Sequence, residues 1–207
     1  MQTNHYITSF CHIKNQTVSL NNAVVYQDKT ADTFTSFIKG AYKSLNTSYS
    51  KFFKMDSLSK LAFLAADVLL QNEHLNIEEE NNIAVVLSNR ASSLDTDRAH
   101  QNAIQNKNDY FPSPAVFVYT LPNICIGEIS IKYKLYSENS FFIFDSFNAQ
   151  HLFDYSNSLL ASKKTKSVLC GWVDFDKNHY EAFLYLVSET SSNIEHNKNN
   201  INTLYNT

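Results

Sequence analysis

The stretch from Asn139 to His151 limits the possible folds more than any other part of this sequence. Phe141, Phe142, Ile143 and Phe144 form an unbroken apolar run, the pattern of a strand covered on both faces. Polar Asp145 and Ser146 follow, and Ala149, Leu152, Phe153, Leu159 and Leu160 then mark the apolar side of a helix. Strand, sharp turn and helix in that order make an elbow. A side chain at its tip sits at a helix N-terminus, a common seat for a nucleophile. The tip offers Asp145, Ser146 and Asn148, and no cysteine.

The same grammar recurs along the chain. Residues 5–13 alternate as a first strand, and residues 15–33 carry short apolar pairs such as Val24 and Val25 that suit a small hairpin. A short helix is expected around Phe37 and Ile38. Asp56 or Ser57 can cap a longer helix whose apolar positions are Leu58, Leu61, Ala62, Ala65, Val68 and Leu69, ending near Asn72. Residues 82–89 read as a buried strand, and Ser92–Asp95 opens a polar surface helix that runs to about Gln105. Pro112 and Pro114 mark a loop before the short apolar segment 115–119. Residues 124–135 support two readings. Ile124, Ile126, Ile129 and Ile131 favour a strand by β-branching, while Ile124, Ile131 and Leu135 with Cys125 and Ile129 fit a helix. Residues 167–175 form another buried strand, joined by Asp176–His179 to an antiparallel strand over 180–187. Residues 189–207 are rich in Asn and Ser without a period and read as a mobile polar tail. One domain over residues 1–188 is expected, a three-layer α/β/α unit with a mixed five-stranded sheet.

Composition removes several function classes. The chain has 207 residues, 43% hydrophobic and 14% aromatic, enough for a sizeable packed core. Its net charge is −3 and its 17 basic residues are spread along the chain, which argues against nucleic acid and anionic membrane as partners. Only three glycines occur, so glycine-rich phosphate loops are excluded. Cys11, Cys125 and Cys170 lie far apart with no C-x-x-C spacing, as free thiols of a reducing cytosol do. No signal peptide and no apolar run of membrane-spanning length is seen, and a cytoplasmic location is expected. No metal-ligand set or cofactor motif stands out.

Several stretches together resemble the N-terminal half of the β-ketoacyl-acyl carrier protein synthases, or ketosynthases, of the thiolase fold. Met55–Ala66 looks like that family's "MDR-x-S-x-LA-x-x-AA" helix. Val85–Asn89 followed by Ala91–Thr96 looks like its strand and helix "G-x-x-x-G-T-x-x-G-G-L-x-T". Phe111–Pro114, Tyr119–Asn123 and Gly127–Ile131 look like its "SP…LPN-x-x-x-G-x-IS-I" segment, and Val168–Asp174 like its "V-x-x-AGGVE" strand. Order and rough spacing agree over about residues 55–187, and the resemblance implies a helix over 121–135. It also implies that the elbow corresponds to "DTACSS", whose cysteine accepts the acyl group. Aligned on the aspartate, Asn148 stands in the cysteine's place; aligned backward from Gly171, Ser146 does. The family's catalytic histidines and oxyanion loops belong to a C-terminal half that does not follow here. The resemblance therefore implies a non-catalytic, chain-length-factor-like subunit, similar to half-length subunits of aryl polyene and flexirubin-type clusters. Such a subunit would pair with an active ketosynthase, or with itself, would serve acyl carrier protein, and would need no cofactor. In this family the strand before the elbow pairs across the two-fold axis, so Phe141, Phe142, Ile143 and Phe144 become interface candidates.

An alternative is an acyltransferase or thioesterase-like enzyme using Ser146, with His151 as its base, or Cys125, which lies near a helix start. A third is a homodimeric acyl-binding module. Against these stand plain structural roles: capping for Ser146, packing for Cys125 and Cys170, solvent exposure for His100, His151 and His179, and a solvated face for Asp95 and Asp97.

Overall fold

The computed structural model describes residues 4–207 apart from His74 and Asp109. β1 (Tyr6–Lys14), β2 (Thr17–Leu20) and β3 (Ala23–Gln27) form an antiparallel meander. Its tight turns hold Asn15, Gln16, Asn21 and Asn22 at φ of 50°, 55°, 50° and 69°. Two-residue hairpin turns need positive φ at both central positions, and asparagine tolerates this better than most side chains. Lys177 and Asn178, at 49° and 71°, turn the chain between β6 (Ser167–Asp176) and β7 (His179–Ser188) in the same way. A glycine-poor chain thus turns its hairpins largely on asparagine.

With β4 (Ile83–Asn89) and β5 (Asn139–Ile143) these strands make one sheet of seven, in the order β3-β2-β1-β7-β6-β4-β5. β4 runs parallel to β5 and β6, and the other pairs are antiparallel. The expected five strands are corrected to seven because the hairpin extends the sheet, pairing Thr17–Leu20 with Cys11–Lys14 of β1.

One sheet face is covered by α1 (Phe34–Ser44), α2 (Ser57–Asn72) and α5 (Ile124–Tyr133), the other by α6 (Ala149–Ala161) and α7 (Lys198–Tyr205). This is the expected three-layer α/β/α arrangement. Asp56 caps α2, its Oδ1 accepting from Ser59 N at 2.8 Å, and α2 is buried almost continuously from Leu58 to Leu70. The ambiguous segment is helical because Cys125, Ile126, Ile129 and Tyr133 are buried beside α2, and packing overrides β-propensity. α3 (Leu94–Ile104) and α4 (Pro114–Val118) lie on the surface.

Two expectations fail. The segment 189–207 is not a loose tail: Asn197 caps α7, and Ile201 and Leu204 are buried in the second core. Two apolar residues in an Asn-rich stretch are too few to show a period. Nor is β5 a fully buried strand: it is one of the sheet's two terminal strands, half-buried, with Ile143 49% exposed.

A buried polar knot ties α2 to α5. Asp67 is fully buried and accepts from Thr47 Oγ1 at 2.7 Å, Gln71 Nε2 at 2.6 Å and Tyr133 OH at 2.7 Å. Lys132 Nζ lies 2.6 Å from its Oδ1, and burial, helped by the carboxylate beside Tyr133, pushes that phenol's pKa up.

Candidate functional site

β5 ends at Ile143, the chain bends through Asp145 and Ser146, and α6 begins at Ala149. Asn148 is the N-cap, its Oδ1 accepting from His151 N at 3.0 Å, which satisfies one of the backbone donors a helix start leaves open. Asn148→Ala should therefore lower stability by about 1 kcal/mol in chemical denaturation, and an unchanged midpoint would mean the cap contributes nothing. Ser146 and Asp145 are exposed at the tip. Between them and the cap, Phe147 is held on three sides. Its ring stacks on Tyr205 at 4.0 Å and meets Trp172 at 6.3 Å and Phe183 at 5.8 Å edge-on.

The elbow brings no base to Ser146: among the described residues no side chain hydrogen-bonds it. The His151 ring turns away into an aromatic cage of Phe142 at 4.4 Å, Phe144 at 4.9 Å and Tyr155 at 5.9 Å. Cys125 is buried, its Sγ 3.1 Å from Pro122 O, and burial drives its thiol pKa up, away from thiolate character. Cys170 is buried in β6 and pushed up to about 12 by the same cause. Cys11 is likewise buried and raised. Of the other candidates, Asp97 accepts from Ser93 Oγ at 3.2 Å, Asp95 accepts from Lys177 N at 3.3 Å, and the His100 ring packs on Phe117 at 5.3 Å. Among the described residues no cluster of His, Cys, Asp or Glu could hold a metal ion.

One of the sheet's two margins, β5, lies beside the elbow. Val85 N donates to Glu138 O at 3.0 Å and Phe144 N to Asn89 O at 2.9 Å. In a parallel pair alternate residues bond to the neighbour, so the even-numbered residues turn their backbone groups to β4. The N–H and C=O groups of Asn139, Phe141 and Ile143 then face outward. Phe141 packs into the first core and Phe142 against the second.

Sequence reading missed a second exposed feature. α4 has no buried residue, and Phe111, Phe117 and Leu121 are 75%, 60% and 58% exposed. Ser93 Oγ donates to Thr120 O at 2.7 Å and Asn89 Nδ2 to Ser92 O at 2.9 Å, tying this segment to the end of β4 next to the elbow. Pro112 and Pro114 mark a loop before it, and the short apolar segment 115–119 carries no signal in the sequence that its side chains stay exposed.

This architecture is similar to that of solved ketosynthase structures. No protein-family model matches the sequence, and no curated protein does. Solved structures do. The ishigamide ketosynthase/chain length factor superposes with a TM-score of 0.63 at 14% identity, over 92% of this chain and 64% of that one. A ketosynthase in complex with its chain length factor from Xenorhabdus doucetiae gives 0.60 at 16%, over 92% and 81%. A type II polyketide synthase acyl carrier protein in complex with its hexaketide-bound ketosynthase gives 0.65 at 11%, over 91% and 63%. The likeness is one of fold, and this chain spans just under two thirds of the first and third of these. No helix among the described residues is long and apolar enough to cross a membrane.

Proposed function

We propose that this chain is a non-catalytic, chain-length-factor-like subunit that pairs with an active ketosynthase in fatty acid or polyketide-type chain building on acyl carrier protein. The observation that carries the reading is the elbow. Of the two positions that correspond to the family's cysteine, Asn148 caps the helix and Ser146 has no base, while every cysteine is buried with a raised pKa. An amide cannot attack a thioester, and an unactivated serine hydroxyl is a weak nucleophile.

The same site supplies a place for a partner. An unprotected edge strand with three outward-facing residues is a template for a strand from a second chain. The exposed apolar side chains of Phe117 and Leu121 lie at the same end of the sheet and add apolar area to the face a partner would cover. In this reading the elbow and the aromatic strand close one end of the partner's acyl tunnel and limit chain length.

Ile143→Pro tests the reading without disturbing the subunit. The Ile143 N–H faces outward, so proline removes a donor from the open edge and none from the ladder to β4. Pairing with a full-length ketosynthase, measured by sedimentation, should weaken by at least about tenfold while the melting temperature of the isolated chain stays put. A complex of unchanged affinity would remove β5 as the docking strand. A chain that forms only homodimers beside a ketosynthase would favour the homodimeric acyl-binding module.

A further inference from the structure

The segment 189–207 returns along the sheet to the elbow. It leaves β7 at Ser188, beside the start of β1. There Ile7 N donates to Ile194 O and His196 N to His5 O, both at 2.9 Å, and Ser192 Oγ donates to Ile7 O at 2.6 Å. α7 then runs back, capped by Asn197, whose Oδ1 accepts from Asn200 N at 2.9 Å. Ile201 and Leu204 bury its inner side in the second core. Its last turn delivers Tyr205 to the elbow. The Tyr205 ring lies 4.0 Å from that of Phe147, with only 17° between the two planes. Rings stacked that closely cannot shift independently. Tyr205 OH donates to Glu181 Oε2 at 2.9 Å, which fixes the ring to β7, a strand paired on both sides. A stiff line thus runs from the sheet through Tyr205 to Phe147, the residue between the exposed tip and the N-cap of α6.

We propose that α7 is a brace that sets how far the elbow tip stands out from the body, and that Tyr205 is the positioning residue through which it acts. This rests on the reading of the elbow as the end wall of a partner's acyl tunnel, and it assigns the depth of that wall to a residue outside the elbow. The elbow has two sets of ring contacts. Phe142 and Phe144 pack on His151, but all three belong to the elbow's own strand, turn and helix, so that cage moves with it. Phe147 is the ring that ties the elbow to other elements. Trp172 of β6 and Phe183 of β7 meet it edge-on, and Tyr205 of α7 covers its face. Removing the Tyr205 ring opens space on that face. Close-packed interiors relax into such space, so Phe147 sinks towards α7 and draws Ser146 and Asp145 back with it. The end wall retreats, and the chain built against it lengthens.

The test is to reconstitute the full chain with a full-length ketosynthase that it binds and with acyl carrier protein carrying starter and extender acyl groups, and to read the products by mass. Tyr205→Ala should move the main product at least one extension step longer. Tyr205→Leu keeps apolar bulk for folding but no flat ring, and should do the same. Tyr205→Phe keeps the stack and loses only the bond to Glu181, so it should restore the original length. Thr47→Ala loosens the Asp67 knot on the other face of the sheet and should leave product length alone, which separates position from stability. Emission from Trp172, the single tryptophan, should change in Tyr205→Ala and Tyr205→Leu but not in Tyr205→Phe, because its ring meets Phe147. If the unaltered chain sets a product length that Tyr205→Leu leaves unchanged, or that Thr47→Ala shifts equally, the proposal alone is overturned. An unaltered chain that binds no ketosynthase, or sets no product length, would overturn the reading of the subunit and the proposal with it.

Discussion

Gly171→Ala should destabilise the chain by at least about 3 kcal/mol, an effect of crowding in a packed interior. For a domain of this size that is a fall of about 6–12 °C in melting temperature. A Cβ at this position would lie 2.1 Å from Phe183 O, 2.6 Å from Leu184 Cδ2 and 2.9 Å from Leu184 Cα. Two of these are backbone atoms of β7, a strand hydrogen-bonded to β6 on one side and β1 on the other, so they cannot recede. The requirement is for space rather than for backbone freedom, since no glycine here has positive φ. Gly127 is the internal control. Nothing lies within 4 Å of its added Cβ, and it sits inside α5, so Gly127→Ala should leave stability unchanged or raise it by about 0.5–1 kcal/mol. Thermal unfolding of the two variants side by side decides the matter: equal melting temperatures would sink the account.

Removing the Asp67 carboxylate has an effect of similar size. Asp67→Ala should lower stability by about 3–5 kcal/mol, because the Lys132 side chain, only 13% exposed, loses its partner carboxylate, and the Tyr133 and Thr47 hydroxyls lose their acceptor. Coulomb attraction is the smaller part of this argument; the cost of stranded buried groups is the larger. Taking the ammonium away as well, in Asp67→Leu with Lys132→Met, should recover much of the loss. Urea titrations of single and double variants read the difference, and a double variant as unstable as Asp67→Ala would show that the lysine is not the stranded group. The Lys132 ammonium also lies 5.6 Å from the centre of the Phe63 ring, so part of its hold on the fold would persist in the single variant.

The sequence carried most of the fold where burial follows a simple period. The α2 pattern from Leu58 to Leu69, the continuous run over 83–89 and the elbow at 139–151 each announce their element, and the structure places them there. Legibility ended where partners lie far apart in the chain. Nothing local distinguishes β5 as a margin from β4 as a central strand, because the distinction is whether a neighbour exists. α7 was hidden because its anchors, Phe147 and Glu181, come from elsewhere in the chain. The helix over 124–133 needed a family pattern, since its isoleucines argue for a strand on their own. At the site, the absence of a nucleophilic cysteine could be read directly. That Asn148 serves as a cap, and that His151 turns from Ser146 into a ring of aromatics, could not.

The sheet order has a consequence for how the chain is made. β1 lies between β2 and β7, and its long ladder to β7 joins Tyr6 to Ser188. During synthesis β1 and its hairpin leave the ribosome before the other strands of the sheet, but the strand that completes them is translated after all of the others. Until then Phe10, Cys11 and Ile13 have no β7 beside them and stay open to wrong partners. Closing a loop of that length before the contact forms also makes folding slow. The meander β1–β2–β3 can form locally, whereas the central ladder cannot, so assembly of the sheet is governed by the arrival of β7.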